Sequence, residues 1–334
     1  MISTPQKAMR KSYSLCGWAV FALAGVSSLL WFAVDLLAEL PATKESFLPI
    51  YEKYSLYLNE AIIAVAMFVG VFMLIGLPKR SPERIRPSFS FLFAIFSICI
   101  AVTSLGNFVS SLWTLPYDTF FGGEADAIAT VLTGNDPLQL IICVGILAPL
   151  FEEFFFRKVL IDCLYPHGEL TAILVSGLLF GLFHQNVEQY FYTFAIGLLL
   201  AYLYCRTGSY LSVFLIHMAF NLFSGVFPSL ANEGYTAFTL QLAEIPAEEM
   251  LTTLPPLLLQ YALPLLYTGF HLSAVTALTV VGILILILKR KKIHIKPSPE
   301  ALSAWDIGSN AFINSGMLTV SHILMGATAF TIFL

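Results

Sequence analysis

Charge is scarce in this sequence, and that scarcity decides its class. Only 11% of the 334 residues are Asp, Glu, Lys or Arg, against 58% hydrophobic. A soluble globule carries about 25% charged residues, so these side chains could not cover a water-exposed surface. Other devices are missing too. The five cysteines (Cys16, Cys99, Cys143, Cys163, Cys205) are odd in number and make no CxxC pair, which argues against a disulfide framework and a thiolate zinc site. Each reads as a small apolar residue in a helix contact. There is no HExxH, no repeat at a fixed period and no low-complexity run. No basic patch is interleaved with aromatics, which argues against nucleic acid as a partner.

What is present is long apolar runs. A membrane span needs about 20 mostly apolar residues. Nine stretches qualify or nearly do: 16–38, 60–77, 89–113, 138–160, 169–184, 189–205, 209–227, 264–288 and 311–334. The fifth and sixth are short and separated only by Gln185-Asn186-Val187-Glu188, which predicts a tight helical hairpin. The region 228–263, with Pro246, Pro255 and Pro256, reads as a longer loop with room for an interfacial helix.

The basic residues test this layout. With the N-terminus inside, one side receives Lys7, Arg10 and Lys11, then Lys79, Arg80, Arg84 and Arg86, then Arg157, Lys158 and Arg206, and last Lys289–Lys292 with Lys296. Of the 17 basic residues, only Lys44 and Lys53 fall on the other side, the asymmetry that the positive-inside rule expects. The predicted fold is therefore an all-α, polytopic transmembrane helix bundle of about nine spans, with a cytoplasmic N-terminus and the C-terminus outside. The run Leu15–Leu37 is long for a signal-peptide core, so the first span is expected to stay uncleaved. The short loops suggest a prokaryotic cytoplasmic membrane.

Ionisable side chains within spans are costly and point to function by default. Asp35, His271 and His322 can each be satisfied by packing or a helix end. The fourth to seventh spans differ. The fourth reads Ala148-Pro149-Leu150-Phe151-Glu152-Glu153-Phe154-Phe155-Phe156-Arg157. Adjacent helical residues point about 100° apart, so Glu152 and Glu153 meet different surroundings. Glu153 and Arg157, at i and i+4 with the acid first, suit an ion pair, which leaves Glu152 without a local partner. Phe180 and His184 share one face of the fifth span, beside a Gly177–Gly181 face fit for close helix approach. His217 and Asn221 share one face of the seventh.

Taken singly, each motif also reads as interhelical glue. At 1.5 Å per residue, however, Glu152, His184 and His217 lie about 16, 22 and 12 Å from the inner ends of their helices. With helix tilt they can converge at one depth, and that convergence predicts a catalytic site.

Glu152-Glu153-x-x-x-Arg157, Phe180-x-x-x-His184 and His217-x-x-x-Asn221 match, in order, three motifs of a known family. Over about 137–226 the chain resembles the CAAX-processing and bacteriocin-processing proteins (CPBP, or Abi), which are intramembrane proteases that include the type II CAAX prenyl endopeptidases. The turn Arg206-Thr207-Gly208-Ser209 is similar as well. The resemblance divides the chain into N-terminal helices (1–136), a catalytic core (137–226) and a C-terminal loop with helices (227–334). It implies hydrolysis of a peptide bond in a membrane-associated protein or peptide, with the lipid bilayer as surroundings. Glu152 would be the general base, and His184 would position and polarise the attacking water. His217 and Asn221 would stabilise the oxyanion, and Glu153 and Arg157 would hold the helix in register.

Two cofactor readings stay open: none at all, or one divalent metal, zinc, on Glu152, His184 and His217 with water in the fourth place. A catalytically silent immunity or scaffold protein of the same fold, and a proton-coupled transporter, are the competing functions. Inverted repeats, which would favour the transporter, are not seen. Whether the substrate is prenylated at a CAAX end is not encoded in these motifs.

Overall fold

The structure, a computed structural model, describes residues 4–41, 43–121 and 135–296. The described residues form helices and no strand: α1 (Thr4–Glu39), α2 (Lys44–Met73), α3 (Phe89–Phe121), α4 (Pro137–His167), α5 (Glu169–Phe183), α6 (Val187–Thr207), α7 (Tyr210–Ala243), α8 (Met250–Gln260) and α9 (Ala262–Lys289). Six of them (α1, α2, α3, α4, α7 and α9) are long and apolar enough to cross a membrane. At 15 residues α5 spans about 22 Å, less than the ~30 Å hydrocarbon core, and it pairs with the 21-residue α6. The predicted ninth span, 311–334, and His322 within it lie outside the described residues. The chain is an all-α integral membrane bundle.

The expected loop at 228–263 is largely helical. α7 continues to Ala243, and α8 holds Pro255 and Pro256. Pro228 stands inside α7, just after the π-helical segment Leu222–Val226, and the helix runs on through it to Ala243. The polar residues that mimic a loop here are side chains on a helix.

α1 packs along α2, α5 along α6, and α3 against both α6 and α9. The main core joins Met9, Tyr13 and Cys16 of α1 to Phe155, Phe156 and Leu160 of α4, Phe180 of α5 and Tyr204 of α6. All five cysteines are buried and unpaired. At one end the basic loops meet. Arg80 N–H donates to Asp162 O (2.8 Å), Lys158 Nζ pairs with Asp162 (2.7 Å), and Ile85 N–H donates to Thr207 O (2.8 Å). Arg206 pairs with Glu169, whose other oxygen accepts from Lys296 N–H, and His167 bonds Ser12 (3.0 Å). The Arg206–Ser209 turn works by two devices. Gly208 takes φ +55, a left-handed value that suits glycine at a helix end, and Ser209 Oγ then caps α7 by accepting from Ser212 N–H.

The α5–α6 hairpin closes on glycine. A Cβ on Gly177 would lie 2.6 Å from Leu198 Cδ2 and 3.0 Å from its backbone nitrogen, and one on Gly181 would lie 3.2 Å from Phe194 N. Because backbone stands on the other side, little can yield. Gly177→Val is expected to destabilise the bundle by about 1–3 kcal/mol, the range for overpacking, read as a lower Tm of the detergent-purified protein. An unchanged Tm would mean that the hairpin is looser than this.

Candidate active site

The site is built on α4, whose hydrogen-bond pattern is irregular. Six α-helical residues, Ala148–Glu153, stand between two π-helical segments, Ile141–Leu147 and Phe154–Ile161. Such segments are often found at functional sites, and here a local cause is visible. Ala148 N–H donates five residues back, to Cys143 O. The next residue is Pro149, with no N–H to offer Val144 O in the same pattern. Asn221 supplies the missing donor from α7: its Nδ2 gives a hydrogen bond to Val144 O at 2.9 Å. Tyr210 OH likewise donates to Leu150 O at 2.8 Å. α7 is thus pinned along the α4 segment that carries the two glutamates.

Glu153 is completely buried and binds two partners. Its Oε2 lies 3.0 Å from Arg157 Nε, the expected ion pair, and its Oε1 lies 2.8 Å from His217 Nδ1. Arg157, also fully buried, gives a second bond from Nη1 to Ser176 Oγ (3.0 Å), and its guanidinium stacks 4.7 Å above the Phe180 ring. Ser176 in turn donates to Phe156 O. A charge removed from water needs partners of this kind.

Helix periodicity gives Glu153 only Arg157 as a partner. In the fold, Nδ1–H of His217 donates to Glu153, which fixes the ring and aims Nε2 at Glu152, 3.8 Å from Oε2. A carboxylate behind an imidazole sets its tautomer and orientation. Glu152 is 8% exposed and has that contact with His217. Two atoms 3.8 Å apart can both touch one water oxygen at about 2.8 Å.

His184 ends α5, half-buried, with Nδ1 donating to Phe180 O at 2.8 Å. Phe180 is in ring contact with both histidines, its centroid 4.9 Å from that of His184 and 5.9 Å from that of His217. The motif phenylalanine therefore carries Arg157 over its face and meets both imidazoles at steep ring angles. Among the described residues no three His, Cys, Asp or Glu side chains stand close enough together to hold a metal ion. The set Glu152, His184 and His217 is therefore not gathered into a metal site as arranged. Periodicity did not point to Ser176, Tyr210 or the Val144 carbonyl. Only the break at Pro149 hinted that α4 needs a donor from outside.

Residues 134–223 match a family model described as Rce1-like, the type II CAAX prenyl endopeptidases. The chain is also 29% identical over 171 residues to a Bacillus subtilis (strain 168) protein described as "Putative membrane peptidase YdiL"; the alignment covers 49% of this chain and 68% of that protein. No solved structure matches. The 134–223 segment contains every residue of the three motifs and none of α1–α3. By these comparisons the chain is similar to membrane proteases.

Proposed function

We propose that this chain is an intramembrane endopeptidase that hydrolyses a peptide bond in a membrane-associated protein or peptide. The observation that carries the reading is the buried network Arg157–Glu153–His217, which presents an imidazole to a second, otherwise unpaired carboxyl, Glu152. An ion-pair network serving only to hold helices has no need of that second carboxyl.

In the proposed reaction Glu152 takes a proton from water as the oxygen attacks the scissile carbonyl, then gives it to the leaving nitrogen. His184, with Nδ1–H committed to Phe180 O, offers Nε2 as an acceptor that orients the water. The oxyanion has two donors. Asn221 spends one amide hydrogen on Val144 O and keeps a second. His217 in its imidazolium form donates from Nε2 while Nδ1–H stays on Glu153. Preorganised donors of this kind each contribute about 10²–10³-fold in other acyl-transfer sites. No step is routed through a metal, and activity is expected to survive chelator in protein free of stoichiometric metal. Loss of activity with chelator, restored by zinc, would overturn that part.

The membrane and secreted peptides of cells carrying the wild-type chain and Glu152→Gln test the function and identify the substrate. A peptide cleaved only by wild type supports it. If a phenotype of the wild type survives in the variant with no difference in peptides, the chain acts as a binding protein. Prenylated and unprenylated forms of the spared peptide then test whether the name of the matched family extends to this substrate.

A further inference from the structure

Glu60 lies on α2, outside the segment that matches the family model, and the chemistry above makes no use of it. It sits well inside the apolar stretch Lys53–Met73 and is 4% exposed. Asn59 Nδ2 donates to its Oε1 at 3.2 Å, while Oε2 has no hydrogen-bond partner. An ionisable group at such a depth calls for a function.

Two contacts fix what Glu60 faces. Gln139 Nε2 on α4 donates to Lys53 O on α2 at 2.9 Å. Farther along, Gly70 abuts the Phe155 ring so closely that a Cβ would lie 2.7 Å from it. α2 and α4 therefore run parallel, and between these contacts Glu60 falls at the level of Val144–Ile146, where Asn221 meets the α4 backbone. Leu56, one turn before Glu60 on the same face, packs with Leu140, Cys143 and Val226 at this level. Glu152 is about 10 Å farther along α4 at 1.5 Å per residue, and its side chain leans back toward the helix N-terminus, the direction of Glu60. The two carboxyls lie within electrostatic reach of each other. The ionisable groups around the pair are Cys143, Glu153 and Arg157 on α4, His184 at the end of α5 and His217 on α7.

Peptide hydrolysis leaves two protons to place. One passes from water through Glu152 to the leaving nitrogen. The other stays on the new carboxylic acid and moves to Glu152 when that product departs as a carboxylate, so Glu152 must lose it before it can act as a base again. We propose that Glu60 is a positioning residue of the site that resets Glu152, accepting this proton through intervening water and releasing it to solvent. An O–H bond on Glu152 breaks as one on Glu60 forms, and no electrons change hands. This inference rests on the hydrolytic reading above.

The test uses the purified full chain in detergent with a quenched fluorescent version of the peptide that Glu152→Gln cells leave uncut. Steady-state and single-turnover rates are measured against pH for wild type, Glu60→Gln, Glu60→Asp and Glu152→Gln. Glu60→Gln is expected to lower kcat about tenfold, a modest share of what acid–base groups supply. Its single-turnover rate is expected to stay near wild type, its kcat–pH profile to change shape, and Glu60→Asp to restore much of both. Glu60→Gln with a wild-type kcat and profile would overturn the proposal. So would equal losses in both rates at every pH, the mark of a structural role. Full activity in Glu152→Gln would instead remove the hydrolytic reading and Glu60 with it.

Discussion

Glu152→Gln is expected to lower cleavage by about 10²–10⁴-fold, the range for removing a general base, while the bundle remains folded. The two halves of that expectation have separate causes. Gln has nearly the shape of Glu but cannot take a proton from water at neutral pH, so the chemical step loses its base. Folding is spared because Glu152 forms no close ion pair: its nearest charged-type contact is His217 Nε2 at 3.8 Å. No buried charge is orphaned by the change. Rates on the peptide substrate, measured beside Tm and gel-filtration behaviour in detergent, separate the halves. A variant that folds normally and keeps its rate within a factor of ten would end the role assigned to Glu152. Glu153→Gln is the informative contrast, since it weakens the partner of both Arg157 and His217.

Arg157→Ala is expected to have the largest effect on stability, about 3–5 kcal/mol, the typical cost of breaking a buried pair from one side. Three interactions go at once: the 3.0 Å pair with Glu153, the 3.0 Å bond to Ser176 and the stacking on Phe180. Glu153 would keep His217 alone, in a position with no access to water. Arg157→Lys keeps the charge but not the planar fork or its stacking, so a partial loss is expected. The sharper check is Glu153→Gln with Arg157→Met. Removing both charges avoids the orphaned carboxylate, so the double variant should unfold at a higher temperature than Arg157→Ala, although His217 loses its carboxylate anchor and activity does not return. An Arg157→Ala protein that melts with wild type would show that the network is not needed for the fold.

The three motifs were legible because each is local. Glu153 and Arg157 are one helical turn apart, and their pairing needs only α-like periodicity, which survives the π-helical segment that starts at Phe154. Gly177 and Gly181 announced a close approach for the same reason, and the structure places α6 backbone against both. The count of basic residues anticipated which loops share an end, since charge sorts by side of the membrane whatever the helices do within it. The end of the seventh span was misjudged because polar side chains on a helix outside the apolar core look like a loop to a hydropathy reading. Glu60 escapes a hydropathy reading for a related reason: it stands at the edge of the apolar run 60–77, whereas the helix that can cross extends back to Lys53.

By itself, then, the sequence determined that the chain is an all-α membrane protein, and it singled out Glu152, Glu153, Arg157 and His217 among the polar side chains buried between its helices. It could not determine how those side chains are shared. That His217 hydrogen-bonds Glu153 while facing Glu152, that Phe180 touches two histidines, that Asn221 supplies the donor Pro149 lacks, and that Glu60 lies level with Val144–Ile146 all depend on the rotation and axial shift of one helix against another. Periodicity sets which face of a helix is apolar. It leaves the partner of each polar atom open, and the packing of Gly, Phe and Leu between helices decides it.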